Sequence, residues 1–402
     1  MRCRAVASVQ KRPPRTPGGT ATYRVRYRDP AGVQRSKTFP TLAKAKTFSS
    51  TVEADKARGS YVDQSLGKMT LGEYAELWLA MQTYGESTRE QTTHRVRRHI
   101  VPSLGGTPLS ALRTSQVQSW VRAKQQELGP RTVRLMVSLL SSILNAAVDD
   151  ERIAKNPCRS SSIKLPALDE RKIVPWTDEQ VIALRRSLPE RYAVMLSMTT
   201  GLGLRQGEVF GLAVEDVDFL RGVVRVQRQV CIIGNKLVFA LPKRRKVREV
   251  PLPSRVADVL SAHLQAFPAK TVALPWETGT GKLVDTKLFL RSREGGALNR
   301  NYINRSVWKP ALVAAGIPST RVQGMHAGRH FYASVQLEGG TSIRALADYL
   351  GHGDPGFTLR TYTHLMPQAQ DKAKRAVNDV FERLETGADD PLCGPDVAPE
   401  AL

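Results

Sequence analysis

The chain has 402 residues, too many for one ordinary core, so two or three domains are expected. Its 60 Lys and Arg against 37 Asp and Glu leave a formal charge of +23, which calls for a polyanionic partner, nucleic acid or an anionic membrane surface. The membrane reading is the weaker one, since no apolar run is expected to reach the length needed to span a bilayer and no signal-peptide core is expected after Met1-Arg2-Cys3-Arg4. Four scattered cysteines, Cys3, Cys158, Cys231 and Cys393, form no paired spacing and no dense framework, so free thiols in a reducing cytoplasm are expected. A soluble cytoplasmic protein that binds nucleic acid is expected, and at this level a ribosomal or chromatin protein fits as well.

Residues 1–20 are rich in Arg, Pro and Gly without an apolar period, which reads as a flexible basic arm. Residues 22–28 alternate large and basic side chains, with Arg24, Arg26 and Arg28 as the basic set, in the period of two of a half-buried strand. Asp29-Pro30-Ala31-Gly32 is turn chemistry, 33–39 returns as a strand, and 41–58 turns helical with Gly59 as its stop. Residues 1–68 hold 15 Lys and Arg against 4 Asp and Glu. That excess is either a solvated extension or a separate DNA-binding module of small sheet plus helix, spanning 1–65.

Four helices are expected over 69–148. Thr70 caps the first, with Leu71, Tyr74, Leu77 and Trp78 on one face. The second, 87–100, is basic on its outer side through Arg89, Arg95, Arg97 and Arg98. Gly105-Gly106-Thr107-Pro108 then breaks the chain before helices over 116–127 and 131–148. Such a domain, 69–160, can lay helices across a DNA groove and its phosphates. Residues 156–167, with prolines, serines and basic side chains, read as an inter-domain linker. A third domain, 170–385, opens where Thr177 and Gln180 have capping-box spacing. Residues 189–213 are helical, the β-branched runs 223–232, 237–241 and 247–252 make a small antiparallel sheet, and the rest is mostly helix and loop. The tail 386–402 is expected to be disordered. The fold class is multidomain, mainly α with small β-sheets.

Two tempting motifs fail on their own chemistry. Gly279-Thr280-Gly281-Lys282 hints at a phosphate loop, but Trp276 and Leu283 stand where that motif needs Gly and Ser or Thr. His326 and His330 have the spacing of a zinc helix, but Ala327 replaces the needed Glu and Arg329 sits between the would-be ligands. No metal site is expected.

Phosphoryl transfer from DNA without a metal needs a nucleophile, cations for the charge growing on the non-bridging oxygens, and an acid for the leaving 5′-oxygen. Arginine suits the cationic role because its planar fork binds two phosphate oxygens and keeps its proton. Five contexts supply such groups in order. They are Thr200-Gly201-Leu202-Gly203-Leu204-Arg205 with Glu208 at i+3; Leu241-Pro242-Lys243 in a basic hairpin with Arg244, Arg245 and Lys246, followed by Arg248-Glu249-Val250-Pro251-Leu252; His326-Ala327-Gly328-Arg329-His330; Leu350-Gly351-His352; and Arg360-Thr361-Tyr362, shortly before the last helix.

This order closely resembles the tyrosine recombinases, the phage integrase family, over roughly 170–385. The helical domain and the basic N-terminal module resemble the family's core-binding and arm-binding domains. The resemblance implies a mixed α/β catalytic domain and a site-specific recombinase, a phage or mobile-element integrase, working through a 3′-phosphotyrosine and a Holliday junction without a cofactor. Arg205 and Arg329 would clamp the scissile phosphate, Lys243 would protonate the 5′-oxygen, His326 would assist proton transfer at the tyrosine, His352 would hydrogen-bond the phosphate, and Tyr362 would attack. Glu208 and His330 would support the site. Arg24, Arg26, Arg28, Arg95, Arg97, Arg98, Arg244 and Arg245 would contact DNA. Tyr332 and Tyr349 compete with Tyr362 on paper, but Tyr349 lies in the apolar stretch 343–350 and reads as core. The family usually has an acidic residue and Leu inside H-x-x-R, where this chain has Ala327 and Gly328. Implied partners are double-stranded attachment sites, accessory DNA-bending or directionality proteins, and three further copies in a tetramer. The stripe Ala373, Ala376, Val377, Val380, Phe381 and Leu384 on the 370–385 helix would dock on a neighbour. A cellular dimer resolvase, a transposon recombinase, a type IB topoisomerase and a non-catalytic DNA-binding regulator are the alternatives.

Overall fold

The computed structural model describes residues 7–14, 20–29, 32–57, 66–168, 173–365 and 369–386, and the chain divides into two units, 1–170 and 171–402. The expected helix stop at Gly59 and the tail beyond Thr386 lie outside the described residues.

The first unit opens on a three-stranded antiparallel sheet, β1 (Ser8–Arg12), β2 (Thr22–Arg28) and β3 (Gln34–Phe39), with β2 central. The first strand corrects the sequence reading of a flexible arm. Ser-Val-Gln-Lys-Arg offers one apolar residue, too little for a visible period, and its order comes from pairing with β2 in the register Val9 to Val25. Alternation along β2 sends Val25 inward, fully buried with Ala45 and Val52 of α1 (Leu42–Ala57), and sets Arg24, Arg26 and Arg28 on the other face. Arg24 donates to Ser36 Oγ and Arg28 to the Gly32 carbonyl, so two of the three are braced within the module.

The helical part of this unit comprises α2 (Leu71–Met81), α3 (Glu86–Arg95) running through a π turn at Val96–Ile100 into α4 (Val101–Leu104), α5 (Thr114–Glu127) and α6 (Pro130–Asp149). Thr70 and Glu73 close a capping box at the start of α2. Leu71, Tyr74 and Trp78 enter the core as expected, but Leu77 stays out, 47% exposed: the buried arc is carried by Leu71, Tyr74, Ala75, Trp78 and Leu79 instead. α6 is long and apolar enough, by length and composition alone, to cross a membrane, which the sequence reading had denied to every segment. Val133, Met136, Val137, Leu140, Ile143, Leu144 and Ala147 line the core of the helical bundle, so its apolar face already has a partner. Arg95 and Arg97 are engaged with Gln91 and Glu76, whereas Arg98 is exposed and has no hydrogen bond among the described residues.

The segment taken for a linker is a strap over much of its length. Asn156 donates to Ser141 and Asn145 of α6, Cys158, Ile163 and Leu165 pack on the helical core, and Arg134 holds the Pro166 carbonyl.

The second unit runs α7 (Asp178–Ser187), α8 (Glu190–Leu202), α9 (Gln206–Gly211), β4 (Val217–Asp218), β5 (Val223–Val226), β6 (Gln229–Ile233), β7 (Lys236–Ala240), β8 (Arg248–Pro251), α10 (Ser254–Ala266), β9 (Lys270–Pro275), β10 (Leu283–Leu288), α11 (Arg300–Ile303), α12 (Lys309–Ala314), α13 (His326–Glu338), α14 (Ile343–Leu350), α15 (Pro355–Tyr362) and α16 (Ala369–Thr386). Thr177 and Gln180 form the expected capping box. The expected single sheet is two: β4, β5 and β8 pair in one, β6 and β7 in another. Residues 223–232 break at Gln227 and Arg228, which turn to bond Asp216, and this breaks what looked like one strand. The β9–β10 hairpin was missed; Gly279 to Lys282 sit in its turn, with no helix following as a phosphate loop requires.

Candidate active site

Two helix ends frame the site. α8 stops at Gly203 and α14 at Gly351, both in the left-handed region at φ +63° and +61°. A Cβ on Gly203 would lie 2.5 Å from the Tyr332 ring, so glycine is needed there for space as well as backbone. Carbonyls at a helix C-terminus lack intrahelical donors and carry the negative end of the helix dipole. Arginines fill that need here. Arg329, projecting from α13, donates through Nη1 to the Gly203 carbonyl at 2.7 Å and through Nη2 to the Leu350 carbonyl. Arg205, the N-cap residue of α9, reaches the Gly351 carbonyl at 3.4 Å. Arg329 is wholly buried, and its Nε has no partner among the described residues. Burial, with Arg205 nearby, pulls its pKa down to about 9, which still leaves it a cation at neutral pH.

Glu208 holds the cations together. Its oxygens accept from Arg205 Nη1 at 2.8 Å, the Arg205 backbone N–H at 2.9 Å, and both Nη atoms of Arg248 at 3.0 and 2.7 Å. Burial by itself would raise its pKa; Arg248, then Arg205 and Arg329, outweigh that and hold it at about 2. Arg248 stands in the basic motif after Lys243, where the sequence alone assigns it no role. A usable signal was there: strand β8 alternates Arg248 and Val250 inward with Glu249 and Pro251 outward, and an arginine at an inward strand position needs a buried partner.

His352 follows Gly351 directly. Its Nε2 lies 3.1 Å from Arg329 Nη2, and since a guanidinium can only donate, Nε2 accepts and the proton sits on Nδ1, which donates to Thr358 Oγ1 at 2.7 Å. Burial, then Arg329 and Arg205, lower its pKa to about 3. Tyr362 closes α15, buried among Tyr332, Leu346 and Leu350, and burial pushes its hydroxyl up to about 12 against the pull of Arg329 and Arg205. That hydroxyl lies 2.8 Å from Nδ1 of His330. The expected tyrosine partner was His326; instead its ring packs edge-on against His330, with centroids 4.7 Å apart. One turn of helix explains the exchange: position i+4 on α13 carries His330 inward, and His326 at the first position is left open to solvent on one side. Partial burial and the cations Arg329, Arg205 and Lys243 still hold His326 down to about 4, and burial beside His326 and Arg329 takes His330 to about 3.

Lys243 stands in a tight turn, Lys243–Arg245, that joins β7 to β8 across two sheets, so it is not the tip of a hairpin. It is exposed and without a hydrogen bond among the described residues. Arg244 and Arg245 both have positive φ, and Arg245 pairs with Glu277 at 3.0 Å.

Residues 176–369 match the Phage integrase family, and residues 70–125 match the phage integrase N-terminal SAM-like domain. A tyrosine recombinase XerC-like protein of Caldanaerobacter subterraneus is 30% identical over 338 residues, 78% of this chain and 84% of that one. The chain belongs to the phage integrase, or tyrosine recombinase, family. The integrase of Mycobacterium phage L5 is 26% identical over 76% of this chain and 77% of its own. Among solved structures, the Tn1549 transposon integrase in complex with transposon right end DNA superposes with a TM-score of 0.63 at 20% identity, covering 78% of this chain and all of that one. The lambda integrase tetramer bound to a Holliday junction gives 0.56 at 15% identity over 85% of this chain and 92% of that one. The chain is thus a site-specific recombinase, mostly helical with small sheets, as its sequence implied.

Gly328 is where this recombinase departs from the family's usual H-x-x-R filling. The helices α13 and α8 meet here: a Cβ on Gly328 would lie 2.5 Å from Thr199 Oγ1 and 2.9 Å from its Cβ. Alanine gains roughly 1 kcal/mol in helix propensity, but overpacking costs about 1–3 kcal/mol. Gly328→Ala is therefore expected to lose stability, by about 1 kcal/mol, and Gly328→Leu by clearly more. Urea unfolding at neutral pH measures both. An alanine variant as stable as the parent would mean that α8 and α13 are free to separate.

Proposed function

We propose that this recombinase is a phage or mobile-element integrase that cuts and rejoins double-stranded DNA through a 3′-phosphotyrosine at Tyr362, passing through a Holliday junction. The observation that carries the reading is the meeting of Arg205, Arg329, His352 and the His330–Tyr362 pair around two glycine-capped helix ends. Arg205 and Arg329 stabilise the charge that builds on the non-bridging oxygens. The tyrosine hydroxyl passes its proton to His330, whose Nδ1 already faces it, and the phenolate oxygen bonds to phosphorus as the 5′-oxygen leaves. Lys243, on its exposed turn, delivers the proton to that oxygen. His326 borders the phosphate from its open side, and His352 sets the Arg329 fork. The 5′-hydroxyl of a partner strand reverses the step, so the phosphodiester energy is kept in the protein–DNA bond.

Exchange of both strand pairs needs four copies on two sites. Val377, Val380, Phe381 and Leu384 on α16 are all exposed, which supports docking of this helix on a neighbouring copy. The test of the reading is incubation with a nicked suicide DNA carrying an attachment-site junction, then a denaturing gel. A covalent adduct is expected, and its absence on a bound substrate sinks the reading.

The division into a basic module (1–65), a helical domain (69–160) and a catalytic domain (170–385) belongs to the same proposal. The β1–β3 sheet with its arginine face favours an integrase over a two-domain cellular resolvase. Each phosphate neutralised adds about −0.9 to the log–log salt slope of duplex binding. Removal of residues 1–65 is therefore expected to make the slope on a full attachment site shallower by several units while cleavage of a short core site survives. Identical footprints for the full chain and the deletion would rule out a separate DNA grip.

A further inference from the structure

Behind the clamp lies an arginine that the chemistry above does not use. Arg248 is buried on β8, the strand that leaves the Lys243 turn. Three segments meet at its guanidinium. Both Nη atoms fork onto Glu208 of α9, at 3.0 and 2.7 Å, and Nε donates to the Tyr349 carbonyl at 2.7 Å, near the end of α14. Its aliphatic part also lies against Gly351, where a Cβ would come within 3.1 Å of its Cδ. One side chain thus ties together the strand that follows the Lys243 turn, the helix that Arg205 caps, and the turn that carries His352.

Charge accounting gives this tie a consequence beyond packing. A carboxylate has about four acceptor positions, and Glu208 fills four: two with the Arg248 fork, one with Arg205 Nη1 and one with the Arg205 backbone N–H. One negative charge is therefore shared by two guanidinium groups. Arg205 spends only one side-chain bond on it and keeps a partly exposed edge with unused donors. Without Arg248, the whole carboxylate would be free to turn onto Arg205, as a fork-to-fork pair, and neutralise the cation meant for the phosphate.

Resting on the recombinase reading above, we infer that Arg248 is a positioning residue of the strand-cleavage step: it occupies the Glu208 carboxylate so that Arg205 remains available to the scissile phosphate. Its effect runs through Glu208, and this separates it from a residue that only holds the fold.

The experiment follows covalent adduct on the nicked suicide DNA at saturating full-length protein, with affinity and thermal unfolding measured in parallel. The set is wild type, Arg248→Met, Arg248→Lys, Glu208→Gln and the double variant Glu208→Gln/Arg248→Met. Wild type must form adduct; if it does not, the recombinase chemistry fails and not merely this inference. Arg248→Met is expected to cleave about a hundredfold more slowly with DNA affinity little changed, since misplacing one catalytic group costs that much. Arg248→Lys keeps the charge but loses the fork, and is expected about tenfold down. The double variant decides the mechanism. With the carboxylate charge gone, Arg205 is released, so it should cleave at least tenfold faster than Arg248→Met, on the order expected for coupled neighbours. A purely structural role predicts the double variant to be as slow as Arg248→Met or slower, and that result overturns the inference. Cleavage by Arg248→Met within twofold of wild type overturns it as well. Should Arg248→Met not fold, the comparison passes to Arg248→Lys with and without Glu208→Gln, read by the same two criteria.

Discussion

Tyr362→Phe is expected to bind an attachment site as wild type does and to form no covalent adduct, a loss of more than about a thousandfold that ends at the detection limit of the gel. The substitution is clean because of where the residue sits. The ring is buried among Tyr332, Leu346 and Leu350, and phenylalanine keeps every one of those contacts. What disappears is one hydroxyl and its bond to His330 Nδ1. A lost hydrogen bond of this kind costs about 1 kcal/mol, too little to unfold a domain with a core of this extent. DNA affinity is set by cations, and none has been removed. A fall in affinity parallel to the fall in adduct would therefore point to misfolding and not to chemistry. Adduct formation at the wild-type level would move the nucleophile elsewhere. Tyr332 is the alternative that burial also pushes to about 12, whereas Tyr349 packs against the main core as the apolar pattern of its helix suggested.

The sequence carried the site as types and order, and the structure supplies the pairing. Arg205, Arg329 and His352 meet at two helix ends and Tyr362 meets His330, because each motif is also a piece of local geometry: a left-handed glycine ends a helix and the next polar residue turns inward. The roles of the two histidines were not legible. His326 and His330 differ by four positions on one helix, and which of them meets Tyr362 depends on the approach of α15, a tertiary fact. Glu208 was visible as a support of Arg205, but its second arginine, 40 residues on, was hidden among the basic residues between Lys243 and Arg248. In the fold, strands with their own period were found, as β2 and β3 were. β1 was missed because pairing alone orders it, and β9 and β10 because their alternation is weak. The strap at 156–166 looked like a linker because its bonds run from backbone carbonyls and one asparagine to helices far away in sequence.

Acidification from pH 7 to pH 5 is expected to cost this protein about 2 kcal/mol of folding stability through His330, with a smaller addition from the more exposed His352. His330 and His352 are both held near pKa 3 in the fold, first by burial and then by neighbouring positive charge. In the unfolded chain each returns to about 6.5. At pH 7 the folded histidines are neutral and the unfolded ones mostly so, and the shift contributes only about a few tenths of a kcal/mol. Below about 6.5 the unfolded chain takes up protons that the folded chain refuses, so unfolding is favoured, and the loss continues until the pH nears the folded value. At pH 5 His330 accounts for about 2 kcal/mol, and His352, more open to solvent, for less. His326, open to solvent on one side, adds a smaller share, and His99 and His263, also lowered by burial, act in the same direction. Glu208 does not oppose this: with its folded pKa near 2, the stability it lends is lost only below its ordinary carboxylate range, outside the window. Urea midpoints at half-unit steps between pH 7 and pH 5 measure the slope. His330→Gln, which titrates nowhere in this range and can still accept from the Tyr362 hydroxyl, should remove the larger part of the slope that the two histidines supply. Equal slopes in the two proteins would show that His330 is protonated in the fold as readily as in the unfolded chain, and the neutral proton acceptor proposed for Tyr362 would then be lost. A bound phosphate brings negative charge against the same histidines and raises their pKa, so DNA binding should take up protons and tighten as the pH falls from 7 to 6, with His330→Gln showing the weaker trend.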